Sequence, residues 1–258
     1  MHVAFLGTSG AVPSATRDTT ALVVVADEGA LLIDCGGSPT AKLRRAGVDP
    51  LALTHVLITH MHPDHAYGLP ALVQNLMLLG RERELVVLAR SEHLEPIRQV
   101  LTAFHLWGRP GLFPLPLIPT GTIAAPALAL GPLRVSTAPN DHGSMPNYAV
   151  RVDVVDQPER GVVYSSDTAP CDTVVALARG AHTLIHEATF PHRARGRFGV
   201  HSTAREAGEV AARAGVRRLI LTHIEADYHE ELDALAAEAQ KPFAGTVEIA
   251  REFVPYAI

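Results

Sequence analysis

The segment Thr59-His60-Met61-His62-Pro63-Asp64-His65 contains three histidines and an aspartate within six positions. It directly follows the apolar run Val56-Leu57-Ile58. Imidazole and carboxylate are the groups with which proteins hold zinc, manganese and iron. The first two histidines are two positions apart, so their rings lie on the same side of an extended backbone. The proline then ends the strand, and the aspartate and the last histidine follow in a tight turn. The stretch therefore predicts ligands that point in two directions, toward two metal ions.

A recurring pattern links this stretch to the rest of the chain: short apolar runs, often β-branched, end abruptly in an acid or a histidine. Runs of this length predict buried strands, and the polar groups at their ends gather along one edge of a sheet. Loops at such an edge commonly carry active sites, because a rigid scaffold positions them. Besides the stretch above, such runs end at Asp34, at Asp167, at His186-Glu187 and at His223.

Two metal ions need more ligands than one stretch supplies. His142 lies in the loop Pro139-Asn140-Asp141-His142-Gly143, Asp167 lies in Ser165-Ser166-Asp167-Thr168, and His223 ends the run 219–222. Because all three follow apolar segments, they are the candidates for the remaining ligands.

The bulk composition sets limits on the class of protein. The chain has 258 residues, of which 47% are hydrophobic, and it shows no linker or repeat, so we expect one domain over residues 1–258. The net charge of -5 does not match bulk nucleic acid. Cys35 and Cys171 are too few for a disulfide framework. The sequence contains no signal-peptide pattern and no run of about 18 apolar residues, so we expect a cytoplasmic protein without membrane contact.

Periodicity and turn signals predict the secondary structure. We expect helices over 68–79, 91–103 and 230–239, and a further helix that a capping box at Thr203-Ala204-Arg205-Glu206 opens and Gly215 ends. Early strands at 2–7, 21–26 and 30–34 suggest antiparallel pairing. Strands mixed with helices along the whole length indicate two sheets with helices outside. The strand order cannot be read from periodicity.

The motif order resembles that of the metallo-β-lactamase superfamily: HxHxDH at 60–65, a lone histidine, an aspartate in a Ser-Ser-Asp-Thr setting, and a strand-terminal Leu-Thr-His. The match runs from Gly7 to His223. It implies an α/β fold, a four-layer αββα sandwich with a dinuclear metal centre between the sheets. The resemblance also implies one metal ion held by His60, His62 and His142, a second held by Asp64, His65 and His223, and Asp167 as the bridge.

Three further motifs resemble those of ribonuclease Z and its relatives: Leu6-Gly7-Thr8-Ser9-Gly10-Ala11-Val12-Pro13, His186-Glu187-Ala188-Thr189 and His201-Ser202-Thr203. By this resemblance His201 protonates the leaving group. His201 precedes a helix start, whose positive dipole end should lower its pKa. Glu187 either orients His201 or holds backbone amides at a strand end.

Two departures from that group affect the expected substrate. Ribonuclease Z carries a long tRNA-gripping arm between the third-motif histidine and the bridging aspartate, whereas His142 and Asp167 lie only 25 positions apart here. In the PxKxRN loop, Ala15 and Asp18 replace the lysine and the asparagine. Armless relatives include cyclic-phosphate phosphodiesterases and arylsulfatases. We therefore expect a small anionic substrate and no extended nucleic acid as partner.

The expected enzyme is a dinuclear metallo-hydrolase, a phosphodiesterase for cyclic nucleotides, nucleotides or short RNA. A hydroxide that bridges two divalent metal ions would attack phosphorus, with Asp64 as an acceptor of the water's proton. We expect zinc, with manganese or iron as alternatives. Other hypotheses are hydrolysis of sulfate esters, lactones or thioesters, and, ranked below these, 3′ processing of tRNA. His62 argues against an iron redox protein, and the full set of ligands argues against an inactive binding module.

Three observations remain open. Asp34 could fix the tautomer of a nearby histidine, and Asp141, beside His142, is a weaker candidate for that role. The basic segment 192–197, with Arg193, Arg195 and Arg197, either attracts an anionic substrate or is a solvated loop. Relatives are often dimers, so a homodimer is compatible with the sequence, although no feature of the sequence demands one.

Overall fold

A computed structural model describes residues 1–120, 126–197 and 199–258, and its strands form two seven-stranded sheets. The strands of the first sheet, in chain order, are β1 (His2–Gly7), β2 (Ala21–Ala26), β3 (Gly29–Ile33), β4 (Leu53–Leu57), β5 (Val86–Ala89), β6 (Leu117–Pro119) and β14 (Pro255–Ala257). Their spatial order is β14-β1-β2-β3-β4-β5-β6.

The second sheet contains the remaining strands. They are β7 (Pro126–Leu130), β8 (Leu133–Pro139), β9 (Tyr148–Val154), β10 (Gln157–Tyr164), β11 (Thr183–Glu187), β12 (Arg218–Thr222) and β13 (Thr246–Ile249). Their spatial order is β13-β12-β11-β10-β9-β8-β7.

Each sheet combines an antiparallel half with a parallel half. β1, β2 and β3 pair antiparallel, as expected from the sequence, and β3 to β6 pair parallel. In the second sheet, β7 to β10 pair antiparallel and β10 to β13 pair parallel. The parallel halves matter for function, because the carboxyl ends of parallel strands meet along one edge.

Helices cover both sheets. They are α1 (Pro39–Arg45), α2 (Pro63–Ala66), α3 (Leu69–Leu78), α4 (Ser91–Ala103), α5 (Asp172–Ala178), α6 (Ala204–Ala214) and α7 (Leu232–Gln240). Short 3-10 helices span Pro50–Ala52, His192–Ala194 and Ala226–Glu231. The helix expected over 230–239 therefore begins later than predicted, at Leu232, after a 3-10 turn. Within the described residues, no helix is long and apolar enough to cross a membrane.

Three buried clusters define the layers. One cluster joins the first sheet to α1, α3 and α4, a second fills the space between the sheets, and a third joins the second sheet to α5, α6 and α7. Alternation along β2 illustrates the arrangement, because Leu22 and Val24 lie in the central cluster while Ala21 and Val23 face the helices. Both faces of each sheet are thus apolar. The predicted four-layer αββα sandwich is confirmed.

Helix α6 has the predicted ends. The Thr203 hydroxyl accepts from the Glu206 amide at 3.2 Å, and the Glu206 carboxylate accepts from the Thr203 amide at 3.0 Å. Gly215 ends the helix with a φ of 72°, a left-handed conformation that glycine adopts without strain. Because Thr203 follows His201 by two residues, this cap also fixes the backbone next to the proposed proton donor.

Candidate metal centre

The candidate residues lie at the carboxyl ends of strands from both sheets. Asp34 follows β3, residues 60–65 follow β4, His142 follows β8, Asp167 follows β10, Glu187 ends β11 and His223 follows β12. At several of these ends the backbone turns sharply: Asp34, Ser166 and His223 have φ values of 61°, 53° and 56°. A non-glycine residue in this conformation costs free energy, and such residues concentrate at functional sites.

Three histidines and one aspartate form a first cluster. The Nδ1 atom of His62 lies 3.0 Å from Nε2 of His60 and 3.1 Å from Nε2 of His142. Asp167 completes the cluster, with Oδ2 at 3.8 Å from Nε2 of His60. One ligand atom from each of the four residues lies within 4.8 Å of the others, which is the spacing of groups that share one metal ion.

A second cluster adjoins the first and shares Asp167 with it. Oδ2 of Asp167 lies 3.3 Å from Nε2 of His65 and 3.2 Å from Nε2 of His223. Oδ2 of Asp64 lies 3.3 Å and 3.5 Å from the same two nitrogens. The structure thus brings together the two ligand sets that the resemblance implies, with Asp167 between them.

Buried polar atoms that lack hydrogen-bond partners indicate whether these residues could hold metal ions. Nε2 of His65, Nε2 of His223 and Oδ1 of Asp167 are buried and have no hydrogen-bond partner among the described residues. Buried polar atoms in folded proteins are nearly always satisfied, so three such atoms at one place need an explanation. Divalent cations would bind them, and nitrogen and oxygen donors suit such ions. The residues therefore fit divalent metal ions.

The electrostatics of the second cluster also favour positive charge. Burial alone would lower the pKa of His65 and His223, but the neighbouring carboxylates, Asp167 first, raise both pKa values well above 6.5. Burial would raise the pKa of Asp64, but the nearby imidazoles of His223 and His65 hold that pKa below its usual range. A region that holds carboxylates ionised and attracts protons to imidazole is one in which a cation is stabilised.

A second set of contacts orients the histidines. Nδ1 of His65 lies 2.8 Å from Oδ2 of Asp34, and Nδ1 of His142 lies 3.2 Å from the Val200 carbonyl. With Nδ1 protonated toward these acceptors, Nε2 faces the cluster with its lone pair. Asp34 thus lies where a group that fixes a histidine tautomer is needed. Asp141 instead accepts from the Gly143 amide at 3.3 Å.

Glu187 and His201 form a pair beside the second cluster. The buried carboxylate of Glu187 accepts from Nδ1 of His201 at 2.9 Å and from the amides of Thr168 and Ser202 at 2.7 and 3.0 Å. Both readings of Glu187 therefore apply, since it holds backbone amides and orients His201. The His201 ring stacks on His223, with centroids 5.5 Å apart and an interplanar angle of 14°.

The expected direction of the pKa shift of His201 is wrong. Burial lowers the pKa, as the helix start was expected to do, but the charge of Glu187 raises it above 6.5 overall. The Glu187 carboxylate carries a full negative charge 2.9 Å from Nδ1 of His201. Its effect on the pKa therefore outweighs that of the partial positive charge at the start of a helix.

The arginines of the segment 192–197 are already paired. Arg193 binds Glu231 at 2.6 Å, Arg195 binds Glu206 at 2.7 Å, and Arg197 donates to the Tyr228 hydroxyl at 3.1 Å. Glu231, Glu206 and, at 3.8 Å from Arg197, Asp227 offset the positive charge of this segment, so its arginines do not form an unpaired basic patch.

Thr189 is a connecting residue that sequence reasoning did not assign. Its hydroxyl donates to Glu187 at 2.6 Å, and it lies 3.0 Å from Nδ1 of His223. Thr189 thus links Glu187, which pairs with His201, to the candidate metal ligand His223. Its place at the end of the motif His186-Glu187-Ala188-Thr189 was a signal that could have identified it.

Comparisons with known proteins agree with this geometry. The sequence profile of the family described as "Beta-lactamase superfamily domain" matches residues 30–224. Ribonuclease Z of Methanothermobacter thermautotrophicus is 31% identical over 93% of this chain and 92% of its own length. Ribonuclease Z of Picosynechococcus sp. is 33% identical over 100% of this chain and 96% of its own length.

Solved structures show the same fold. YhfI from Bacillus subtilis, a metallo-β-lactamase fold protein, superposes with a TM-score of 0.82 and 26% identity, covering 99% of this chain and 98% of its own. The short form of human tRNase Z superposes with a TM-score of 0.81 and 23% identity, covering 100% and 99%.

These relatives correct the expected partner. The expectation of a small substrate without extended nucleic acid is wrong, because relatives named as ribonucleases match nearly the whole chain. Net charge summed over a chain does not describe the potential at one site, so it was a poor guide here. The protein is a hydrolase of the metallo-β-lactamase fold. The chain belongs to the metallo-β-lactamase superfamily, among the relatives of ribonuclease Z.

Proposed function

We propose that this protein is an endoribonuclease of the ribonuclease Z type, which hydrolyses phosphodiester bonds of RNA with the help of two divalent metal ions. One observation carries the proposal: Asp167 is shared by two ligand clusters, and the pair of His201 and Glu187 lies directly beside them. Metal ions in the two clusters would stabilise negative charge on the attacked phosphate, and His201 would donate a proton to the departing oxygen.

The ligands divide into two groups around Asp167. His60, His62 and His142 would hold the first ion, Asp64, His65 and His223 the second, and Asp167 would bind both. Divalent ions held in this way lower the pKa of bound water and stabilise the negative charge that develops on the attacked phosphate. Zinc is our first choice because of the number of imidazole ligands.

His201 is the proton donor in this proposal. Its Nδ1 is engaged by Glu187 at 2.9 Å, so Nε2 is the ring atom left for the substrate. Its side chain is 17% exposed, whereas Glu187 is fully buried, so only the histidine can meet a leaving oxygen. Glu187 positions the ring and favours its protonated form. Asp64, at the edge of the second cluster, is the acceptor for the proton of the attacking water.

The His201 and Glu187 pair also favours phosphodiesters over the other ester classes. The departing oxygen of a ribose is a poor leaving group, so a positioned acid contributes most to such a reaction. Sulfate esters, lactones and thioesters remain alternatives for the same metal clusters. The names of the relatives, ribonuclease Z and tRNase Z, support RNA as the substrate.

The relatives contain segments that this chain lacks. The alignment with the Picosynechococcus protein runs over 316 positions, whereas this chain has 258 residues. If an inserted arm grips RNA in those relatives, surfaces of the sandwich itself must do so here. The proposal therefore includes RNA binding by the loops around the metal clusters.

A cleavage assay tests the proposal. Purified protein is chelated, reloaded with zinc or manganese, and incubated with a tRNA that carries a 3′ trailer. We expect cleavage only with metal, slowed by roughly 10²- to 10⁴-fold in His201→Asn. His105→Asn is the matched control, because His105 is exposed and lies outside the clusters. Intact RNA after incubation with protein that holds both ions would refute the proposal and favour another ester.

A further inference from the structure

A cleft of about 420 Å³ opens beside His201. Residues 11–12 form one wall and residues 225–228 the other, and Thr189, Arg197 and His201 complete the lining. The volume is in the range of sites that enclose a small organic molecule. The cleft is distinct from the metal ligands, since none of the seven candidate ligands lines it.

The position of the cleft indicates what enters it. His201 lies between the cleft and the second cluster, with its ring stacked on His223. If His201 protonates the departing oxygen, the group attached to that oxygen lies on the far side of His201 from the metal ions. In that case the cleft lies where the leaving group would be bound.

Glu225 contributes a carboxylate to the wall of this cleft. The residue precedes the 3-10 helix Ala226–Glu231 but does not cap it with its side chain. Among the described residues, its half-buried carboxylate forms no hydrogen bond or ion pair, although its backbone amide is held by the Thr189 carbonyl at 3.0 Å. A carboxylate in this environment is an acceptor that a bound molecule can use.

The absence of a side chain at Gly10 leaves room for the Glu225 carboxylate. The Gly10 amide donates to the Ile224 carbonyl at 2.9 Å. A Cβ atom at position 10 would lie 2.7 Å from Oε1 of Glu225. The carboxylate thus lies against the backbone at Gly10, a segment that is distant from Glu225 in sequence.

The charges of the cleft select against a second phosphate. Among the described lining residues, Arg197 is the one arginine, and it already contacts the Tyr228 hydroxyl at 3.1 Å and Asp227 at 3.8 Å. Glu225 and Asp227 add two carboxylates to the lining. A neutral group rich in hydroxyl or N–H donors fits such a lining better than an anion does.

We propose that this cleft binds the nucleoside of the leaving group and that Glu225 accepts hydrogen bonds from its ribose hydroxyls. This inference rests on the proposed function, because it takes RNA as the substrate. The 2′-hydroxyl distinguishes RNA from DNA at a given position. Glu225 is thus a specificity-determining residue that selects a ribonucleoside on the leaving side of the bond.

A binding experiment tests the cleft without catalysis. The affinities of the four ribonucleosides and of their 2′,3′-dideoxy counterparts are measured by NMR titration in the presence of chelator. For the wild type we expect ribonucleosides to bind about tenfold or more tightly than the dideoxy compounds, as for hydrogen bonds to a charged acceptor. Glu225→Gln should reduce this difference to about threefold or less, because its neutral amide oxygen is a weaker acceptor than a carboxylate. Glu230→Gln, which makes the same change of charge at an exposed residue outside the lining, should retain it.

A kinetic experiment adds a second readout. With metal-loaded protein, Glu225→Gln should lower kcat/KM for RNA dinucleotides by about tenfold. The same variant should change the rate of bis(p-nitrophenyl) phosphate hydrolysis by less than about twofold, because the p-nitrophenyl group of this ester has no hydrogen-bond donor for Glu225. Glu230→Gln should leave both substrates unaffected.

The outcomes separate this inference from the proposed function. Equal affinity of the wild type for ribonucleosides and dideoxynucleosides, or equal behaviour of the two glutamine variants, would overturn the role of Glu225 even if RNA is cleaved. Nucleoside binding that depends on Glu225 in a protein that cleaves no RNA would support the cleft and refute the proposed function.

Discussion

Replacing Asp34 with asparagine should weaken metal binding in the second cluster, although Asp34 is not a candidate ligand. Oδ1 of Asp34 accepts from the Thr59 amide at 2.9 Å, and Oδ2 lies 2.8 Å from Nδ1 of His65. Asparagine retains the first contact and tolerates the φ of 61° at this position. It places an NH₂ group where Oδ2 was. The substitution therefore keeps the shape of the side chain and changes the contacts of Oδ2, which also accepts from the hydroxyls of Thr59 at 3.0 Å and Tyr164 at 3.4 Å.

The new NH₂ group can bond His65 only if Nδ1 becomes an acceptor. The ring proton then moves to Nε2, the atom that faces Asp64 and Asp167. A protonated Nε2 cannot bind a metal ion. Loss of a contact that orients a ligand typically costs roughly 10- to 100-fold in metal affinity, or about 1.4 to 2.8 kcal/mol.

Metal affinity is measured by competition with a chromogenic chelator, with metal content determined on the same samples. In Asp34→Asn one ion should be lost at a lower chelator concentration than the other. Asp233→Asn, an exposed residue on α7, is the control for charge. Thermal unfolding with metal absent separates this effect from loss of fold. Wild-type affinity for both ions in Asp34→Asn would refute the role assigned to Asp34.

Two further predictions follow from named contacts. His201→Ala should slow esters with poor leaving groups far more than those with good ones, because only the former need its proton; equal slowing in a series of aryl phosphodiesters would contradict the role of acid. Thr203→Ala should destabilise the protein by about 1 kcal/mol through loss of the cap of α6; urea unfolding checks this, and an unchanged midpoint would mean that the cap adds nothing to stability.

Many strand and helix bounds could be predicted from the sequence, because local residue patterns determine them. The strands β1 and β2 begin and end where apolar runs between turn-rich segments predicted, and α6 has the predicted cap and terminal glycine. The polar ends of the apolar runs meet at one edge, as parallel strands require. The predicted bounds of α3 and β3 shifted by one residue at each end, and the start of α7 shifted by two, where the 3-10 turn Ala226–Glu231 precedes the helix. Such turns use the same residue types as the helix itself.

Other features could not be read from the sequence, because they depend on pairing between distant segments. Arg193 finds Glu231, and Glu225 meets Gly10, only after the chain has folded. The sign of the pKa shift of His201 likewise depends on how close the Glu187 carboxylate comes. Sequence patterns singled out Arg193, His201 and Glu187 but neither Glu231 nor Glu225, and the distances between these residues decide the chemistry.

The most direct test of the central claim is anomalous diffraction from crystals of the protein loaded with zinc. We expect two peaks roughly 3.5 to 4 Å apart, one among His60, His62 and His142 and the other among Asp64, His65 and His223, with Asp167 between them. A single peak, or two peaks that do not share Asp167, would contradict that claim.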